Sequence, residues 1–343
     1  MKLGSELPIV QAPMAGGPST PELTAAVGGA GGLGFVAAGY LSPARLTEVI
    51  SATRALSPAP FGVNIFCPSA PADLAPVREF AHLIQPESDR LGVPLGEPHW
   101  DDDDFDEKVD IVESQQVDVV SFTFGCPSSS IVDRLHRAGC RVAVTVTSPP
   151  EARLAESAGA DLLLVQGTEA GGHQGTFLDH APNVRPLLSL LEEMRDSIRI
   201  PTVGCGGIMT GAHAAEVLHK GAVAVQLGTA FLCCPEAGTS DTYRRALLDA
   251  TYPDTVVTRA FSGRYARGLA NQFALEYGAS APEAYPEVHH LTRPIRAAAT
   301  TAGDPSIPNL WAGQGWRSVT SDTAQAIVHR MAVELAAASS PPA

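Results

Sequence analysis

Charge is scarce and one-sided in this sequence. Asp, Glu, Lys and Arg make up 17% of the 343 residues, and 23 bases against 37 acids leave a net charge of −14. A chain this poor in Lys and Arg has no basic stripe to release counterions from a phosphate backbone, so no nucleic-acid partner is expected. The six cysteines include no C-x-x-C pair, and a chain of this length needs no disulfide staples, so they read as free thiols in a reducing compartment. The opening residues, MKLGSELPIV, lack the apolar run of a signal peptide, and a cytoplasmic location is expected. One uncharged stretch lies between Glu22 and Arg45, but six glycines and Pro43 interrupt it. It reads as helix, turn and buried strand, and no membrane association is expected. Also missing are G-x-S-x-G, H-E-x-x-H and G-x-x-x-x-G-K, which removes the usual support for serine hydrolase, zinc protease and nucleoside triphosphatase readings.

What is present is alternation. The length allows about two domains of roughly 150 residues or a single (β/α)8 barrel. Over the first 230 residues, short apolar runs alternate with amphipathic segments, as in βα units around a parallel sheet. The runs begin near Ile9, Leu33, Phe61, Val117, Arg141, Leu162, Pro201 and Val223. Eight of them predict an α/β fold, a (β/α)8 TIM barrel over residues 1–235. Helix ends are legible: Thr20 caps a helix with Pro21 in its first turn, and Thr210 caps one that ends before Gly221. Residues 71–116 form an inserted helical excursion, and its acids Asp101 to Asp104 read as a solvated loop without a metal. Residues 236–320 predict a helical and irregular segment covering the site, irregular from about 258 to 317, and residues 321–343 a terminal helix and tail.

In a parallel barrel the loops after the strands carry the chemistry. After the seventh run comes GCGGIMTG (204–211) and after the eighth QLGTAF (226–231). Two glycine turns in that position, with a helix opening at Thr210, predict a phosphate site. The G-x-G-x-x-G of residues 29–34 is a turn instead, because it follows a helix and leads into a strand. After the sixth run, Gln166 ends the strand, Glu169 to Gly172 read as a flexible turn, and His173 stands at the barrel mouth, suited to acid or base work. His180, His289 and the other histidines read as surface or core residues.

The motifs PIVQAPMAGG, FGVNIF, TVTSPPEA, QGTEAGGHQG, VGCGGI, QLGTAF, TRAFSGRYARG and LWAGQG occur in order between residues 7 and 320. With them the chain resembles the nitronate monooxygenases, formerly 2-nitropropane dioxygenases, and their class I members in particular. The resemblance implies a barrel enzyme that holds FMN noncovalently. Its expected partners are a small-molecule nitronate, such as propionate 3-nitronate, and O2, with oxidation through a flavin semiquinone to a carbonyl compound and nitrite. It implies that Pro13, Met14 and Ala15 lie against the isoalloxazine ring and that Asn64 and Gln166 hydrogen-bond the flavin. Gly171, Gly172, Gly206, Gly207, Gln226, Leu227, Gly228 and Thr229 would surround the ribityl chain and phosphate. His173 matches the family's active-site histidine, either as base toward a neutral nitroalkane or as stabiliser of the nitro oxygens. Cys126 stands where a larger apolar residue is expected, and Tyr285, His289 and Trp311 are pocket candidates without assigned contacts. An FMN-dependent NAD(P)H:quinone or enoyl-ACP reductase of the same superfamily is the alternative, and an FMN-binding sensor a third reading. Over VGCGGI the chain also resembles inosine monophosphate dehydrogenases, whose chemistry needs a cysteine where His173 stands.

Overall fold

The computed structural model describes residues 4–249 and 252–339; the last residues of the expected tail, 340–343, lie outside it. All eight apolar runs form strands. These are β1 (Ile9–Gln11), β2 (Gly34–Ala37), β3 (Phe61–Phe66), β4 (Val119–Thr123), β5 (Arg141–Val146), β6 (Leu162–Gln166), β8 (Thr202–Cys205) and β9 (Ala224–Leu227). They pair in parallel in the order β1-β9-β8-β6-β5-β4-β3-β2. A single parallel bridge, Val10 to Leu33, joins the two ends into a (β/α)8 barrel. At that thin seam the buried Gln11 side chain takes over: its Oε1 accepts from the Phe35 amide at 2.8 Å and its Nε2 donates to Ser19 Oγ at 3.0 Å. The barrel interior is filled by Val10, Phe35, Val119, Ala143, Leu164 and Val203 among others. A side chain on Gly62 of β3 would collide with the Phe35 ring, so the floor is closed by one large residue facing one glycine.

Helices α1 (Pro21–Gly29), α2 (Pro43–Leu56), α3 (Leu74–Leu91), α4 (Phe105–Ser114), α5 (Ser129–Arg137), α6 (Pro149–Ser157), α7 (Leu187–Arg195) and α8 (Gly211–His219) follow in chain order. The Thr20 and Thr210 side chains accept from the amides of Leu23 and His213, as the caps predict, and Gly221 at φ +98° ends α8. Within residues 71–116, α4 lies on β3 and α2, whereas α3 leaves the barrel and buries Val77, Phe80 and Ile84 against Val288, Leu291 and Ile295. Among the described residues no helix is long and apolar enough to cross a membrane.

Two expectations are corrected here. The acidic run is not simply solvated: Asp103 accepts from the Tyr40 amide and pairs at 2.7 Å with the fully buried Lys108, while Asp101 meets His290 at 2.7 Å. A buried ammonium requires such a counter-ion; Lys108 is close to Asp103 in the sequence but its burial is not visible there, and His290 comes from a distant helix. The segment from 258 to 317 is also far more regular than its Gly and Pro content suggests. It contributes the end of β10 (Thr255–Thr258), then β11 (Ala266–Leu269), α10 (Gln272–Tyr277) and α11 (Glu287–Thr301), after α9 (Asp241–Leu248). Helix α12 (Ala324–Ser339) closes the chain against α8 and α1.

Candidate active site

The loops at the C-terminal ends of the strands surround a cavity of about 380 Å3. His173 and every residue expected to hold the flavin lie on its wall. Pro13, Met14 and Ala15 come from the loop after β1, and Asn64 from β3. Gln166 ends β6, with Gly171, Gly172 and His173 on the segment beyond it. Gly206 and Gly207 follow β8, and Gln226, Leu227, Gly228 and Thr229 follow along β9 and its turn. A TIM barrel produces this convergence from residues far apart in sequence because each strand delivers its last residues to one face.

The glycines after β8 are required by backbone shape and space. Gly206 and Gly207 sit at φ +122° and +70°, and a Cβ on Gly207 would stand 2.9 Å from Glu169 Cβ. The Gln226 amide is polarised from one side: Cys205 Sγ approaches its Oε1 at 3.2 Å, while its buried Nε2 has no partner among the described residues. A buried donor without an acceptor is costly, and here it belongs to a residue lining the cavity. Asn64 is locked by donating to Ser121 Oγ at 2.9 Å and Thr123 Oγ1 at 3.0 Å.

Gln166, on the cavity wall, also braces its own loop. Its Nε2 donates to the His173 carbonyl at 3.0 Å and its Oε1 accepts from the Gly175 amide at 2.7 Å, so both ends of the amide hold the segment that carries the histidine. That segment is not a loose turn. Gly172–His173 form the short strand β7, antiparallel to β11 with His173 opposite Ala266, and the Gln174 amide donates to the Tyr265 carbonyl at 2.8 Å. The pairing partner lies about ninety residues later, which is why local glycine content suggested flexibility.

His173 Nε2 is 2.8 Å from Ser262 Oγ, and its ring is enclosed by Phe124, Tyr285 and Trp311 at centroid distances of 5.6, 5.9 and 5.3 Å. Burial, with added repulsion from the Arg264 and Arg296 guanidinium groups, pushes its pKa down to about 3. The imidazole is therefore neutral near neutral pH. An unfolded chain binds protons at this histidine from about pH 6.5 downward, whereas the folded one resists until about pH 3, so stability is lost as pH falls through that window. His173→Asn is expected to flatten the slope of unfolding free energy against pH between 6.5 and 4 by up to about 1.4 kcal/mol per unit. Urea denaturation of both proteins across that range measures it, and parallel slopes contradict the assignment.

Several wall residues carry no signal in the sequence reading: Tyr40, Phe124, Tyr243, Arg296 and Asn309 reach the cavity through tertiary folding. His289, one of the pocket candidates, lines it too. Phe124 occupies the left-handed region at φ +74°, a strained choice that aims its ring at His173 and beneath Arg264. Cys126, two residues on, packs into the core instead. Trp311 lines the cavity, while Tyr285 stands behind it between Phe124 and His173. The strap carrying Trp311 is tied down by the Gly313 amide donating to Thr229 Oγ1 at 3.0 Å and the Gln314 amide to the Glu169 carbonyl at 3.0 Å.

Comparison with known proteins places this geometry. A nitroalkane oxidase structure from Streptomyces ansochromogenes superposes with a TM-score of 0.95 at 48% identity, covering 98% of this chain and 97% of that one. FabK from Thermotoga maritima shares the fold less closely, with a TM-score of 0.77 at 28% identity over 98% and 94% of the chains. A probable nitronate monooxygenase from Staphylococcus aureus is 39% identical, spanning 95% of this chain and 93% of its own. The nitronate monooxygenase family model matches residues 2–334. The chain belongs to the nitronate monooxygenase family.

Proposed function

We propose that this enzyme binds FMN in the barrel-mouth cavity and oxidises alkyl nitronates, of the propionate 3-nitronate kind, with O2 to a carbonyl compound and nitrite. The observation that carries the reading is a neutral, buried, tethered histidine sharing one cavity with an amide cradle. The residues fit the cofactor: the Gln226 Nε2 donor lacks an acceptor among the described residues, and the turns after β8 and β9 offer backbone amides beside the capped start of α8. Residues 1–235 would hold the flavin and residues 236–320 would cover it. When bound, FMN supplies the electron transfer between substrate and O2.

The protein's part is positioning and proton handling. Gly206, Gly207, Gly228 and Thr229 would surround the phosphate end, and Pro13, Met14 and Ala15 would flank the ring. Being neutral, His173 offers a ring nitrogen that can accept an α-proton from a nitroalkane, and Ser262 fixes the ring for that transfer. The Phe124, Tyr285 and Trp311 rings exclude water around it.

The test is anaerobic addition of propionate 3-nitronate to the FMN-loaded protein, followed by visible spectroscopy. Loss of the oxidised-flavin absorbance, with nitrite released on admitting O2, is the expected result. Flavin that stays oxidised with the nitronate but bleaches with NAD(P)H overturns the reading in favour of a reductase.

A further inference from the structure

Arg296 is a cation in neutral company. From α11 it donates through Nη1 to Asn309 Oδ1 at 2.7 Å, through Nη2 to the His289 carbonyl at 3.0 Å and His289 Nδ1 at 3.3 Å, and through Nε to Thr292 Oγ1 at 3.0 Å. The groups that bear on its charge are the Tyr40 phenol and Arg293, not a carboxylate. A guanidinium withdrawn from bulk water is ordinarily matched by an anion. It has five N–H donors, and these contacts use four, leaving one on Nη1.

Its neighbours are turned into donors as well. Because Asn309 accepts through Oδ1, its NH2 end is the part left for other partners, and Asn309 lines the cavity. Because a guanidinium cannot accept, His289 Nδ1 does, and the proton of the neutral ring sits on Nε2. That ring is held flat on Tyr40, with centroids 4.2 Å apart and an interplanar angle of 4°. Burial and the adjacent Arg296 hold the His289 pKa well below the ordinary histidine value, so it stays a neutral donor. One wall of the cavity thus presents a cation and two neutral donors. The amides after β8 and β9 already suit a phosphate, whereas Arg296 is near enough to His173 to depress its protonation.

We infer that Arg296, Asn309 and His289 form a receptor for a compact organic oxyanion, a carboxylate or a nitronate group, beside His173. The enzyme therefore prefers substrates that carry such a group over neutral ones of the same size. The choice of nitronates as kinetic probes rests on the proposed function; the binding probe below does not.

Two variants separate the possibilities. Arg296→Met removes the cation, and Asn309→Asp keeps the fold's hydrogen bond to Arg296 while supplying an internal carboxylate that satisfies it. Propionate binding to the FMN-loaded protein, read by calorimetry and by perturbation of the flavin spectrum, is expected to weaken about 10- to 100-fold in both. The KM for propionate 3-nitronate should rise by a similar factor, with kcat within a few-fold of wild type. If the KM for butyl nitronate, which has no carboxylate, is unchanged, the receptor holds the carboxylate; if it rises equally, the receptor holds the nitronate group. Should Arg296→Met fail to fold, Asn309→Asp decides alone. Wild-type protein that does not bind propionate, or an Asn309→Asp variant that binds it and turns over both nitronates like wild type, overturns the inference. A wild-type enzyme inert toward nitronates but binding propionate through Arg296 removes the proposed function and leaves the receptor standing.

Discussion

Replacing His173 by Asn is expected to lower kcat/KM for a neutral nitroalkane by about 10²- to 10⁴-fold, the usual worth of a positioned general base. With a pre-formed nitronate the loss should be nearer tenfold, because no proton has to be removed and only a hydrogen bond of about 1–2 kcal/mol is at stake. The asymmetry follows from the imidazole's state. Its pKa of about 3 in the folded protein makes it a proton acceptor rather than a cation, and Asn keeps a polar side chain there without that capacity. Steady-state rates on nitroethane and on its nitronate, measured at one pH, decide the matter. Equal losses on both substrates would show that His173 acts on the anion and not as a base.

Gly171→Ala is expected to be nearly as damaging although it adds one methyl group. A Cβ there would stand 2.5 Å from the Gly313 nitrogen and 2.6 Å from the Ala312 carbonyl carbon, both backbone atoms that cannot swing aside. Overpacking of this kind costs about 1–3 kcal/mol, and each kcal/mol lowers Tm by roughly 1–2 °C in a chain of 343 residues. The larger expected effect is functional. An outward shift of the 312–313 strap would move Trp311 away from His173, and a displacement of about 1 Å in a reacting constellation can cost on the order of 10²-fold in rate. Gly172→Ala provides the comparison: the position has φ +79° but no atom within 4 Å of an added Cβ, so only the backbone cost remains, about 1–2 kcal/mol. Thermal melts and activity assays on the two variants should separate; if they behave alike, the strap is not held by this contact.

The barrel was legible because its signal is local. Buried parallel strands read as unbroken apolar runs, and caps such as Thr20 and Thr210 announce their helices within four residues. The strand-end glycines and His173 were legible for the same reason, since topology assigns them to one face before any contact is known. Partners contributed from a distance were not. Nothing near His173 in the sequence indicates Ser262, and nothing near Asp101 indicates His290. His289 and Arg296 sit on a helix whose apolar stripe, Val288, Leu291 and Ile295, explains its burial without them. The brace that Gln166 gives the His173 segment was not legible either, because its partners, the His173 carbonyl and the Gly175 amide, are placed by the segment that pairs with β11.

That pairing also sets an order of events during synthesis. The last barrel strand ends at Leu227, yet the histidine's strand finds its mate only at Ala266, its hydroxyl tether at Ser262, and its aromatic walls at Tyr285 and Trp311. Since chains emerge from the ribosome N-terminus first, all eight barrel strands are made before any of these later residues that clamp the histidine. The enclosure of the histidine therefore waits on residues as late in the chain as Trp311.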